Sequence, residues 1–279
     1  MNEFYNVCVK CEAWFDDMTW LLSIKWVNML DTPELFDEET DSDQLLPSEA
    51  GAKYEELAKD TTNILRGTCL ASEFRLTSGE CSIKVDNMVG SLARDRMLND
   101  LIIDFCIRYI CSTLGDCYAM SSFAPTMGWP NPPKTRISTF HYQEQPCITP
   151  YYYNPLCGKD YRPTMEVIYL TTVATFFRDW HDKTVPNMDF SVEANGVWLD
   201  APKQPDGTSC GVLCIAQTYA MLKYNFRLTS VATTGGEISI TRLRIMWVIL
   251  MQLDVTTASN KRAKAVEATG LKLFKAFKI

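Results

Sequence analysis

Histidine is scarce in this chain: His141 and His181 are the only two among 279 residues. Chemistry that needs an imidazole therefore has two possible sources. Basic charge is also short, with a formal net charge of -7 and a pI of about 5.0. That balance argues against a bulk nucleic-acid face, which needs positive potential. Long apolar runs are missing too. Arg, Gln, Lys or Thr interrupts each one before it reaches the roughly 18 residues of a membrane span. The opening residues, from Met1 to Cys8, lack the basic start and apolar stretch of a secretory signal. No glycine-rich loop of the P-loop type is visible. Cys8-Val-Lys-Cys11 has zinc-like spacing, but no second close pair or histidine partner follows it, so it reads as two ordinary cysteines. Cysteine itself is plentiful. Eleven irregularly spaced cysteines in a chain this long do not form a disulfide framework. Reduced thiols in an intracellular setting, nucleus or cytoplasm, are expected.

What is present divides the chain. Residues 1–30 place Trp14, Trp20, Leu21, Trp26 and Leu30 near helical spacing. Residues 31–56 hold ten acids against Lys53 alone, the pattern of a solvated arm. A short acidic helix over 49–59 is the alternative for its last part. From about residue 68 the pattern is that of a packed domain. Leu98–Ile110 predicts a helix with one buried face, capped by Asp100. Residues 121–136 read as loop, and Pro150–Tyr153 as a short strand, with Tyr151, Tyr152 and Tyr153 packing within it. Residues 161–180 are helical in pattern, with His181 as a surface or helix-end residue. Val192–Leu199 reads as a strand with a bulge or turn at Asn195-Gly196. Cys210–Leu222 is too apolar for an exposed helix, and a further helix is expected over 241–253. The last residues carry Lys261, Arg262, Lys264, Lys272, Lys275 and Lys278 against Glu267. They read as a fraying solvated helix or as a nuclear-import or acidic-partner patch.

The most informative stretch is Gln204-Pro-Asp-Gly-Thr-Ser-Cys210-Gly-Val-Leu-Cys214. It puts Cys210 in the first turn of a buried helix, six residues after an amide side chain. A cysteine attacks as the thiolate. The unused amides and dipole of a first helical turn favour that charge. Gly207 and Gly211 let backbone approach a substrate carbonyl. An amide of this turn and the Gln204 side chain are placed to cradle an oxyanion, donors worth about 3 kcal/mol each in hydrolases. Cys214, one turn on, fits the role of an inert core cysteine.

This segment resembles the nucleophile segment of the ubiquitin-like-protein-specific cysteine proteases, the family that includes the SUMO (sentrin) proteases. Met97-Leu-Asn-Asp100 is similar to that family's Trp-Leu-Asn-Asp motif, with Met in place of Trp. Tyr152-Tyr-Asn154-Pro-Leu156 is similar to its Tyr-Asp-Ser/Pro-Leu strand end. Asn154 stands where the catalytic acid is usual, a change compatible with Cys-His-Asn sites. The resemblance spans about residues 80–255. It implies an α+β, papain-like fold, a helical part packed on a small mixed β-sheet. With the charge and packing pattern along the chain, it gives an N-terminal helical, acidic extension (1–67), a protease domain (68–256) and a basic tail (257–279). It implies cleavage after the C-terminal Gly-Gly of a ubiquitin-like modifier, with the modifier and its conjugates as partners. Cys210 would be the nucleophile, His141 the base, Asn154 its orienting group and Gln204 an oxyanion donor, with no metal or organic cofactor. Phe140-His141-Tyr142 precedes Asn154 in the family's order. It is followed by Gln143-Glu-Gln-Pro146 rather than an apolar strand, which motivates the alternative of an inactive relative that binds a ubiquitin-like protein or scaffolds a complex.

Overall fold

Two helices rich in apolar residues set the architecture, α4 (Asp100–Leu114) and α7 (Cys210–Tyr224), which pack against one another. The structure is a computed structural model that describes residues 2–24, 47–68, 72–76, 81–115, 117–121, 124, 128–129, 147–156, 158–184, 191–193, 195–224, 233–252 and 255–256. The elements before α4 are α1 (Asn2–Ser23), α2 (Pro47–Gly67), β1 (Glu73–Arg75), β2 (Ser82–Lys84) and α3 (Val85–Leu92). Between α4 and α7 come β3 (Cys147–Ile148), β4 (Tyr151–Tyr153), α5 (Arg162–Ile168), a π-helical turn (Tyr169–Val173), α6 (Ala174–Thr184), β5 (Ser191–Val192) and β6 (Val197–Leu199). The helix α8 (Gly235–Gln252) and the strand β7 (Val255–Thr256) follow α7.

Burial explains the grouping. Phe74, Met88, Leu92, Ile102, Phe105, Val212, Ile215, Leu243 and Met246 share one core, to which α1 and α2 add Met18, Leu21, Tyr54 and Leu65. The strands β2, β1 and β7 form an antiparallel sheet in that order. The other strands form two parallel pairs, β3 with β5 and β4 with β6. Parallel pairing needs a crossover, and α5, the π turn and α6 supply it.

Several expectations are refined. The α4 cap is Asn99, not Asp100. Asn99 keeps extended backbone (φ -82°, ψ 159°) and its side-chain oxygen accepts the Ile102 amide at 2.9 Å. A cap side chain must reach two or three residues into the helix from a non-helical residue, and Asp100 is already helical. The segment 161–180 runs on to Thr184 and contains the π turn. There Thr171 and Thr172 turn their hydroxyls back onto the carbonyls of Val167 and Ile168, which competes with regular helix bonding.

Residues 192–199 form two strands rather than one. Cys147 pairs with Ser191, yet Tyr151 pairs with Val197, so the second chain carries two more residues over the same span. Gly196 sits in this excess. A Cβ there would lie 2.0 Å from Cε2 of Tyr152, so only glycine lets the chain pass this ring. α8 starts at residue 235 rather than 241, because Thr234 and Glu237 form a capping box. The Thr234 amide donates to Glu237 Oε2 at 2.6 Å, and the Glu237 amide donates to Thr234 Oγ1 at 3.3 Å. The acidic segment is helical from residue 47, in α2, while 25–46 lies outside the described residues, as does the tail from 257. No helix among the described residues is long and apolar enough to cross a membrane.

Candidate active site

Cys210 is the first residue of α7 and is half-buried. The turn that delivers it is organised by one carboxylate. Asp206 Oδ1 accepts the amides of Thr208 and Ser209 at 2.7 and 2.8 Å, and its Oδ2 accepts the Ser209 hydroxyl at 2.6 Å. Partial burial works to raise the pKa of this carboxyl. The bonds from Ser209 and Thr208 outweigh it and hold the pKa below the usual range. The Ser209 carbonyl then takes the first helical bond, from Leu213 at 3.1 Å. The amides of Cys210, Gly211 and Val212 precede that bond and point from a helix start, where negative charge is favoured.

The residue after Cys210 fixes how close α7 lies to α4. A Cβ on Gly211 would stand 2.9 Å from Ile103 Cδ1 and 3.0 Å from Leu98 Cβ. One turn on, Cys214 differs from Cys210. Burial, with the neighbouring Cys210 adding to it, pushes its thiol up to about 12, so it stays protonated at neutral pH. Burial does the same to Cys106, at about 12, and to Cys111, at about 11.

Gln204 enters this site through its backbone and its side chain. Its amide donates to the Pro155 carbonyl at 3.1 Å, one residue beyond Asn154. Its side-chain Nε2 donates to the Asp206 carbonyl, while Oε1 is buried with no hydrogen-bond partner among the described residues. The Tyr153 hydroxyl donates to the Pro202 carbonyl at 2.6 Å, and the Thr233 hydroxyl donates to the Lys203 carbonyl. The end of β4 and the turn before Cys210 are thus stitched together. Asn154 closes its own turn, its Oδ1 accepting the Leu156 amide at 3.0 Å. Below it, Tyr152 stacks on Trp198 with ring centres 4.8 Å apart, and Trp198 Nε1 donates to Glu166 at 2.8 Å. The Arg162 guanidinium lies over the Trp198 ring, 4.8 Å from its centre, and pairs with Asp200.

Three of the four expected site residues are therefore placed, and the fourth, His141, lies outside the described residues. His181 is in the last turn of α6, as expected, but it is buried at 4 % exposure rather than on the surface. The aromatic face of α6 explains this, since Phe176 and Trp180 are buried in the same stretch.

Solved structures share this arrangement of elements. The C-terminal Ulp1 protease domain in complex with Smt3, the yeast ortholog of SUMO, matches with a TM-score of 0.50 at 20 % identity, over 70 % of this chain and 94 % of that one. The fold is Ulp1-like. A second match is the SUMO protease Ulp1 with its catalytic cysteine oxidised to a sulfenic acid, at a TM-score of 0.50, 22 % identity and the same coverage. No protein-family model matches the sequence, and no curated protein matches it either. Within the Ulp1-like frame, Asp206, in the turn before Cys210, and Arg242, inside α8, escaped the sequence reading. Asp206 had a local signal, an acid two and three residues before Thr-Ser at a helix start. Arg242 had a weaker one, a cation inside the apolar run of α8. It is fully buried, and its Nη1 and Nη2 donate to the carbonyls of Ser91 and Arg96 at 3.1 and 2.6 Å.

Proposed function

We propose that this chain is a thiol peptidase or isopeptidase that cleaves after the C-terminal Gly-Gly of a ubiquitin-like modifier, in maturation or deconjugation. The observation that carries the reading is Cys210 at the start of α7, with Gln204 in the turn before it and Asn154 bound to that turn through Pro155. The Cys210 sulfur attacks the glycine carbonyl. His141 takes the thiol proton and returns it to the leaving amine. Asn154 holds the imidazole, and Gln204 with a first-turn amide receives the oxyanion. The chemistry requires no metal or organic cofactor. Among the described residues, Cys8, Cys11, Cys81, Cys106, Cys111, Cys210 and Cys214 are free thiols, which supports a reducing compartment, nucleus or cytoplasm. The Ulp1-like fold supports a modifier of the SUMO type as the partner.

The test is labelling by SUMO-type modifiers whose C-terminus carries a thiol-reactive group. The parent protein and Cys214→Ala should form the covalent adduct, and Cys210→Ala should not. Binding of the modifier without any adduct in the parent protein would favour a non-catalytic binding relative instead.

A further inference from the structure

The backbone leading to Gln204 is pinned at three successive residues. The Tyr153 and Thr233 hydroxyls donate to the carbonyls of Pro202 and Lys203, and the Gln204 amide donates to the Pro155 carbonyl. What remains to be set is the direction of the Gln204 side-chain amide. Asp206 sets it, because its backbone carbonyl accepts Nε2. Turning the amide over would bring Oε1 against the same carbonyl, two acceptors face to face. The observed direction is costly. Oε1 is buried and has no hydrogen-bond partner among the described residues. An amide free to turn would carry Oε1 to a donor or to water, so the bond to Asp206 outweighs that gain.

The Asp206 backbone is in turn held by its own carboxylate. Oδ1 accepts the amides of Thr208 and Ser209 at 2.7 and 2.8 Å, and Oδ2 accepts the Ser209 hydroxyl at 2.6 Å. These bonds tie Asp206 to the residue that precedes Cys210. One residue thus fixes the amide of Gln204 relative to the sulfur. It also occupies the Thr208 and Ser209 amides, which therefore do not serve an oxyanion. Gln204 Nε2 keeps a second hydrogen for that purpose.

We propose that Asp206 is a positioning residue for the oxyanion donor Gln204, its carboxylate locking the turn to Ser209 while its carbonyl holds Nε2 in the direction that serves the reacting carbonyl. The proposal rests on the reading of Cys210 as the nucleophile and Gln204 as its oxyanion donor. No bond forms or breaks at Asp206 itself.

The experiment is a double-mutant cycle in the full chain. It measures kcat and KM for release of aminomethylcoumarin from the C-terminus of the SUMO-type modifier that labels Cys210. Gln204→Ala should lower kcat about a hundredfold, the typical loss of one oxyanion donor. Asp206→Ala should lower kcat about tenfold with little change in KM. The combined variant should be no slower than Gln204→Ala alone, because Asp206 acts through the amide already removed. Alkylation of Cys210 by iodoacetamide passes through no oxyanion, so Asp206→Ala should alkylate within about twofold of the parent rate. Asp206→Asn keeps the Oδ1 acceptor and should recover most of the lost kcat. Losses that multiply in the combined variant would overturn the inference. So would an alkylation rate that falls together with kcat, since both outcomes signal a general loosening of the turn. Should Asp206→Ala fail to fold, Asp206→Glu, which keeps the carboxylate but displaces it, takes its place under the same criteria. Failure of the underlying reading looks different. A parent protein that neither forms the adduct nor releases coumarin overturns the role of Cys210 and this one with it, whereas an active parent with multiplying losses overturns the role of Asp206 alone.

Discussion

Asp206 shows how much one side chain can organise at this site. It satisfies two amides and two hydroxyls in the three residues that precede Cys210. Those amides belong to a helix entrance and have no partner within the helix. Asp206→Ala should therefore lower stability at neutral pH by about 1 kcal/mol, the typical effect of a lost cap side chain. The pH dependence follows from the direction of the pKa. The folded carboxyl titrates below its ordinary value of 3.8. Its contribution is then fully present above that value and is lost as pH falls through the folded pKa. Chemical denaturation of parent and variant should give a gap that is constant from neutral pH down to about pH 5 and closes in stronger acid. A gap that widens in acid would mean that the carboxylate is not the acceptor that holds the turn. Such a residue was legible locally, because its partners are two and three positions away. Arg242 was not, since its bonds reach residues 146 and 151 positions distant.

Element by element, the helices were the legible part. The run of Val212, Leu213, Ile215, Ala216 and Ala220 in α7 is buried as its composition predicts. Boundaries were less legible where two neighbours compete, as with Asn99 and Asp100, or where a ring on another strand decides, as with Gly196 and Tyr152. Two glycines separate these cases experimentally. At Gly211 a Cβ meets the movable end of Ile103 but also the Leu98 Cβ, which sits beside the backbone. Alanine there gains about 1 kcal/mol of helix propensity against about 1–3 kcal/mol of overpacking. At Gly196 the Cβ would overlap Cε2 and Cδ2 of Tyr152 and crowd Pro150 Cγ, and no helix propensity offsets it. Tyr152 cannot swing away cheaply, because it stacks on Trp198 and meets the Tyr169 ring edge-on at 5.8 Å. Gly196→Ala should thus be the more destabilising of the two in urea denaturation, with a loss of near-UV circular dichroism from these rings. Equal midpoints would mean that the crossover strands do not hold this register.

Across the whole molecule, the sequence located the Cys210 segment but not what supports it from afar. The stretch from Gln204 to Cys210 was readable because its parts are adjacent in the chain. The bond from Gln204 to Pro155 joins residues 49 positions apart, and no periodicity reports it. The N-terminal helices illustrate the same limit. Met18 and Leu21 of α1 enter the core that surrounds α7, and Asp17 reaches the turn before α4. Its Oδ1 lies 2.8 Å from Arg94 Nε, and its Oδ2 accepts Arg96 Nη1 at 3.4 Å. Arg94 itself adopts φ 60°, a left-handed conformation that only favourable surroundings maintain in a non-glycine residue. Burial pushes the Asp17 carboxyl up, and the Arg94 charge opposes this without overcoming it. An acid with a raised folded pKa binds more protons folded than unfolded, so its ionisation subtracts stability as pH rises through that window. Asp17→Asn keeps an acceptor oxygen and avoids the charged form. It should unfold at or above the parent temperature at neutral pH, with the advantage vanishing below about pH 4. Asp17→Ala removes the ion-pair partner of Arg94 and the acceptor of Arg96 and should cost about 1–3 kcal/mol at every pH. Thermal unfolding of the three proteins across this range separates the two effects. An Asp17→Asn midpoint several degrees below the parent at neutral pH would show that attraction to the arginines exceeds the cost of burying the charge.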